Sequence, residues 1–121
     1  MPRKTPSKSI SKKVSSKQLD TLWSKKVREL FGHKCAVCGA SPVQAHHIFT
    51  RSYKSTRWNL DNGIALCYRH HFYLEHSKFE EFRDFVINYL GEDKYNEIKE
   101  LSKQIVKPDL EEIKTSLEKS S

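Results

Sequence analysis

All three cysteines and five of the six histidines of this 121-residue chain fall between Cys35 and His76. In order they are Cys35-Ala-Val-Cys38, Ala45-His46-His47-Ile48, then Cys67-Tyr-Arg-His70-His71 and His76, with Asn62 between the second and third groups. The sixth histidine, His33, stands just outside. Thiols and imidazoles gathered this closely point to bound metal. The chain also needs a staple. At 36% apolar and 31% charged residues, one small domain has only a thin core to hold it. Three cysteines cannot close a disulfide set, so thiolate–metal ligation in a reducing compartment fits better than an oxidised fold.

Cys35 and Cys38 are separated by two residues and followed by Gly39, which eases the tight turn that aims both sulfurs at one ion. Cys67 and His70 repeat the two-residue spacing and complete a Cys3His set, the donor type of a closed, tetrahedral structural zinc site. Zinc in such modules supplies on the order of 10 kcal/mol of folding free energy, comparable to the whole net stability of a domain. A two-histidine finger does not fit, because only seven residues part Cys38 from His46. His46 and His47 are adjacent, and on a strand they point to opposite faces. Three reduced, buried cysteines without metal are the alternative reading.

Elsewhere the pattern is mainly helical. Leu19, Leu22, Trp23, Val27, Leu30 and Phe31 recur at three- and four-residue steps, predicting an amphipathic helix over 16–31 that Gly32 ends. Pro42 to Ile48 and Gly63 to Cys67 read as strands around a polar loop, with a helix from about His70. Ser77 and Glu80 form a capping box for a helix carrying Phe79, Phe82, Val86, Tyr89 and Leu90, stopped at Gly91. A helix from Glu92 carries Tyr95, Ile98, Leu101 and Ile105 up to Pro108, and a last short one carries Leu110, Ile113 and Leu117. The stripes read as core. Trp23 reads as core rather than as a base-stacking platform, and Trp58 as packing over the thin core, while Tyr53 stands open between packing and a role in the basic loop.

Charge divides the chain. Residues 1–60 hold 13 Lys/Arg against only Asp20 and Glu29, whereas residues 61–121 hold nine against 13 acidic residues. A basic front half suits a polyanion, and nucleic acid is the first to consider. The contacts would come from a disordered basic arm over 1–15, including Lys12 and Lys13, and from loop residues Arg51, Lys54 and Arg57. Residues 1–20 have no apolar signal region and no run approaches a membrane span, so the expected setting is the cytoplasm of a bacterial or phage-infected cell, with no membrane partner.

Cys35-x2-Cys38, His46-His47-Ile48 and Asn62-x4-Cys67-x2-His70-His71 together resemble the HNH endonuclease family, over roughly residues 33–76. The one departure is His70, where the family usually has a fourth cysteine. The resemblance implies an α+β fold: a small ββα-metal core with a structural zinc site, flanked by an N-terminal helix and C-terminal helices. It implies His47 as general base, and His46 and His71 as ligands of one catalytic divalent ion, Mg²⁺, Mn²⁺, Ni²⁺ or Zn²⁺. Asn62 would pin the loop between the strands. For a third ligand, Glu75 occupies the family's usual position while His76 supplies the usual imidazole, so both stay open.

The expected organisation is a basic arm over 1–15, a helix over 16–32, the HNH core over 33–76 and a helical segment over 77–121. The last could support the core or pair two copies as a homodimer. The activity implied is metal-dependent DNA hydrolysis leaving 5′-phosphates, of the kind found in phage and mobile-element nucleases. A zinc-stabilised nucleic-acid-binding module without catalysis is the alternative, and a protein-interaction domain built on the C-terminal helices is a third.

Overall fold

The computed structural model describes residues 13–76 and 79–120, and the side chains of 13–72 and 80–120. Lys12, the rest of the arm before it, Ser77 and Lys78 therefore lie outside the described residues, as do the side chains of Glu75 and His76. Helix α1 (Ser16–Leu30) begins where Ser15 Oγ accepts the Gln18 amide at 3.1 Å. It buries Leu19, Trp23 and Val27, one turn apart on a single face. It ends at Gly32 (φ 63°) and His33 (φ 60°). There the His33 amide reaches Arg28 O and the Gly32 amide reaches Glu29 O, which satisfies two orphan carbonyls of the last turn.

Strands β1 (Val43–His47) and β2 (Gly63–Cys67) form an antiparallel pair in which His47 lies opposite Gly63 and His46 opposite Ile64. All five β2 residues are buried because the hairpin is covered on both faces. One cover is α1, whose Leu19, Trp23 and Val27 form a cluster with Trp58 and Leu117. The other comprises helices α2 (Tyr68–His76) and α3 (Phe79–Leu90), with Phe82 and Val86 packed on Val43, Ile64 and Leu66. Helix α4 (Glu92–Ser102) follows Gly91 (φ 91°), and α5 (Leu110–Lys119) is capped by Asp109. The Leu110–Ile113–Leu117 stripe packs against the α1 cluster within the same chain. Among the described residues no helix is long and apolar enough to cross a membrane.

Helices α2 and α4 differ in extent from the sequence reading by more than one residue. Helix α2 starts at Tyr68 rather than near His70, so Cys67 and His70 stand three residues apart across the strand end and the first helical turn. That spacing faces both donors the same way. Helix α4 stops at Ser102, and Ile105 is fully exposed. The Pro108 ring would clash with the carbonyl of Gln104 in a continued helix, so the turn before it is given up.

Candidate metal centre and active site

The turn at Cys35–Ala40, a knuckle, is built by backbone bonds. Gly39 (φ 78°) lets the chain double back, its amide bonding Cys35 O at 2.8 Å while the Cys35 amide bonds Ala40 O at 2.8 Å. The Ala36 amide ties the turn to β2 through Ala65 O at 2.9 Å. Cys67 and His70 arrive from the end of β2 and the start of α2. The donor atoms of Cys35, Cys38, Cys67 and His70 all lie within 4.8 Å of one another.

Bonds of about 2.3 Å to sulfur and about 2.0 Å to nitrogen give a zinc tetrahedron edges of roughly 3.8 Å between sulfurs and roughly 3.5 Å between sulfur and nitrogen. The Cys38–Cys67 sulfurs are 3.8 Å apart, and His70 Nδ1 stands 3.7 Å from Cys35 Sγ and 3.3 Å from Cys67 Sγ. Burial pushes the Cys35 thiol up, but backbone hydrogen bonds at Cys67, Cys38 and Val37 outweigh it and bring it down to about 6. The thiolate that a metal takes is thus favoured. The four residues could hold a zinc ion, and no other group of three or more described His, Cys, Asp or Glu side chains could hold a metal.

His46, His47 and His71 border one cleft near the loop end of the hairpin. Strand alternation sends His46 towards α2 and α3, where its ring lies edge-on to His71 (4.8 Å) and to Phe82 (5.1 Å). It sends His47 the other way, flat against Trp23 with ring centroids 3.8 Å apart. Both still border one cleft of about 520 Å³, together with His71, Thr50, Arg51 and Asp20. His47 Nε2 lies 2.8 Å from Arg57 O. A carbonyl only accepts, so Nε2 carries the hydrogen and Nδ1 keeps its lone pair. Burial pushes the His47 pKa below the ordinary imidazole value; the Arg57 carbonyl and the Asp20 charge oppose it without reversing it. The neutral ring is thereby favoured.

Asn62 is fully buried, and its side chain bridges the loop backbone. Oδ1 accepts the Phe49 amide at 2.8 Å, while Nδ2 donates to Phe49 O at 2.9 Å and to Thr56 O at 3.1 Å. The basic residues part company. Arg51 is exposed at the cleft, with Nη1 3.8 Å from Asp20 Oδ2. Lys54 borders a separate depression of about 390 Å³, and Lys13 is exposed at the foot of α1. Arg57 is closed on Asp20 by two hydrogen bonds, 3.0 and 2.7 Å, and lies over the Trp58 ring. Trp58 Nε1 donates to the same carboxylate at 2.9 Å, and the ring is buried in the core. Tyr53 stays exposed.

The sequence reading leaves Asp20 out of the site. Its one signal is an isolated acid on the helix of the basic half, one turn ahead of Trp23. The family model described as HNH endonuclease matches residues 35–79, from the knuckle through both strands and α2. This match, with the small ββα core beneath it, points to a nuclease-type or nucleic-acid-related function. Comparison with curated proteins and with solved structures returns no match.

Proposed function

We propose that the HNH domain of this chain is an active, metal-dependent DNA endonuclease. The observation that carries the reading is the joint placement of His47 and the His46–His71 pair at one cleft, with the His47 tautomer set by Arg57 O. His47 Nδ1 takes a proton from water, the resulting hydroxide oxygen bonds to phosphorus, and the bond from phosphorus to the 3′-oxygen breaks. The products are a 5′-phosphate and a 3′-hydroxyl whose proton comes from solvent.

His46 and His71 are two imidazole donors in edge contact, a pairing that suits Mg²⁺, Mn²⁺, Ni²⁺ or Zn²⁺, with His76 or Glu75, water or substrate oxygens completing the set. The divalent ion, when bound, neutralises charge on the scissile phosphate and on the leaving 3′-oxygen. Asn62 holds the loop carrying Arg57 O and so aims His47. Arg51, with Lys54, Lys12 and Lys13, would supply phosphate contacts that position DNA without reading its sequence. The Cys3His zinc stays structural.

Nicking of supercoiled plasmid across the four divalent ions tests the reading, with His47→Ala alongside and its fold and zinc content checked. Cleavage by wild type that a folded, zinc-loaded His47→Ala loses is the expected result. Salt-sensitive DNA binding by both proteins with cleavage by neither would sink it in favour of a non-catalytic binding module.

A further inference from the structure

The matched domain begins at Cys35, yet two of the groups that fix its histidine base come from α1, before that boundary. Trp23 lies flat on the His47 ring, 3.8 Å between centroids and 6° between planes. Its indole Nε1 donates to Asn59 O at 2.9 Å, which locks the indole to the loop. Asp20, one helical turn earlier, grips the Arg57 guanidinium with both carboxylate oxygens. The carbonyl of that same Arg57 takes the His47 Nε2–H bond. One helix thus controls the base from two sides: the face of the ring and the acceptor that selects its tautomer.

Core packing with Leu19, Val27 and Trp58 requires bulk at position 23 but not a ring parallel to His47. A parallel stack does more, because it removes rotation about the Cβ–Cγ bond of His47. The geometry points to Trp23 and Asp20 as positioning residues of the nuclease centre: α1 is an integral part of the active site, and the HNH segment without it presents His47 in a mixture of orientations and tautomers. This rests on the nuclease reading for its catalytic consequence, but the orientation and tautomer of His47 are measurable without any cleavage.

The test uses the full chain, zinc-loaded and in Mg²⁺, as wild type, Trp23→Leu, Trp23→Phe and Asp20→Asn. Long-range ¹H–¹⁵N spectra of the histidines read the His47 tautomer, and plasmid nicking reads kcat and KM. Zinc content and circular dichroism report the fold. Wild type should show a single Nε2–H tautomer. Trp23→Leu and Asp20→Asn should show averaged His47 nitrogens and a fall in kcat on the order of 100-fold, the scale of an ångström misplacement, with KM for DNA little changed. Trp23→Phe, which keeps an aromatic face, should recover most of the loss. If Trp23→Leu fails to fold, Asp20→Asn, which preserves volume outside the apolar core, decides alone. Wild-type His47 signals in folded variants would overturn the proposal whether or not the protein cuts. Averaged signals in the variants of a protein that never cuts would keep the positioning and sink the nuclease reading instead.

Discussion

Trp23 and His47 lie ring on ring, 3.8 Å apart and within 6° of parallel, although one sits mid-helix in α1 and the other ends strand β1. The stack is possible because the residue opposite His47 in the hairpin is Gly63. A glycine there leaves α1 free to press its indole against the sheet.

Gly63→Ala should therefore disturb both stability and the site. An added Cβ would stand 2.5 Å from Val27 Cγ2 and 2.8 Å from Trp23 Cζ2, closer than real contacts allow. The backbone at Gly63 is ordinary extended chain (φ −119°), so the whole effect is crowding. Overpacking of this kind costs about 1–3 kcal/mol. Urea unfolding should show that loss, and the Trp23 and His47 ring signals should shift together. An unchanged midpoint would show that α1 can retreat at no cost.

Asn62→Ala should cost about 3 kcal/mol, a large share of a small domain's stability. The substitution strands the Phe49 amide and the carbonyls of Phe49 and Thr56, groups that the buried amide now satisfies. Each unsatisfied buried group costs about 1–3 kcal/mol, less where water can enter. Hydrogen exchange should localise the change, with the Phe49 amide losing protection ahead of the β2 amides. Equal loss across the whole hairpin would mean that Asn62 supports the fold rather than the loop.

The Cys3His quartet is the most legible part of this chain, because two-residue spacing is a local property: a glycine-assisted turn or one helical turn brings such donors together wherever the pair falls. The α1 stripe is legible for the same reason. What it packs against is not. Arg57 sits in a basic loop and reads as a phosphate ligand, yet its partner Asp20 lies 37 residues away and meets it only once α1 crosses the hairpin. The face-to-face stack of Trp23 on His47 depends in the same way on sheet register and on one glycine. Periodicity also runs on through Ile105 to the stop at Pro108, whereas the proline costs the helix the turn before it as well.

Zinc removal should unfold the protein. One zinc per chain is expected, and a site contributing on the order of 10 kcal/mol outweighs what a core this thin retains without it. Cys67→Ser should lose both the ion and the thermal transition. His70→Cys should keep both, because four thiolates make an equally closed tetrahedral site. Metal analysis beside thermal melts decides the matter: a chelated protein that melts as before would remove the structural role.

Arg51 and Arg57 should separate cleanly in DNA binding, despite lying in one loop. Arg51 is two-thirds exposed at the cleft and 3.8 Å from the nearest carboxylate oxygen, so it can turn to a phosphate. Arg51→Ala should weaken binding alike for all sequences and lower the slope of log affinity against log salt by about one. Arg57 is held by Asp20 and covered by Trp58, so Arg57→Ala should lower stability and leave the slope alone. Equal slopes lost in both variants would show that the Asp20 clamp opens on DNA.

The Asp20 clamp also has a pH signature whose sign is fixed. Burial pushes the Asp20 carboxyl up, but the hydrogen bonds from Arg57 and Trp58 and the charges of Arg57 and Arg51 outweigh it, so its pKa falls below the usual 3.8. As pH drops, the unfolded chain takes up the proton first, so stability rises with pH through that window and the contribution is complete above it. Hydrogen bonds to a charged group are worth about 1.5–3 kcal/mol each before desolvation is counted, so Asp20→Asn should cost about 2 kcal/mol at pH 7. The difference between wild type and Asp20→Asn should not shrink from pH 7 down to about 4.5, because the carboxylate's own loss lies below the usual carboxyl value and its charge also eases protonation of His47. Effects of acid on the zinc ligands are common to both proteins and cancel. A difference that already shrinks between pH 6 and 5 would mean that burial dominates, that Asp20 is protonated before the clamp can act, and that the path from α1 through Arg57 to His47 is weaker than its geometry implies.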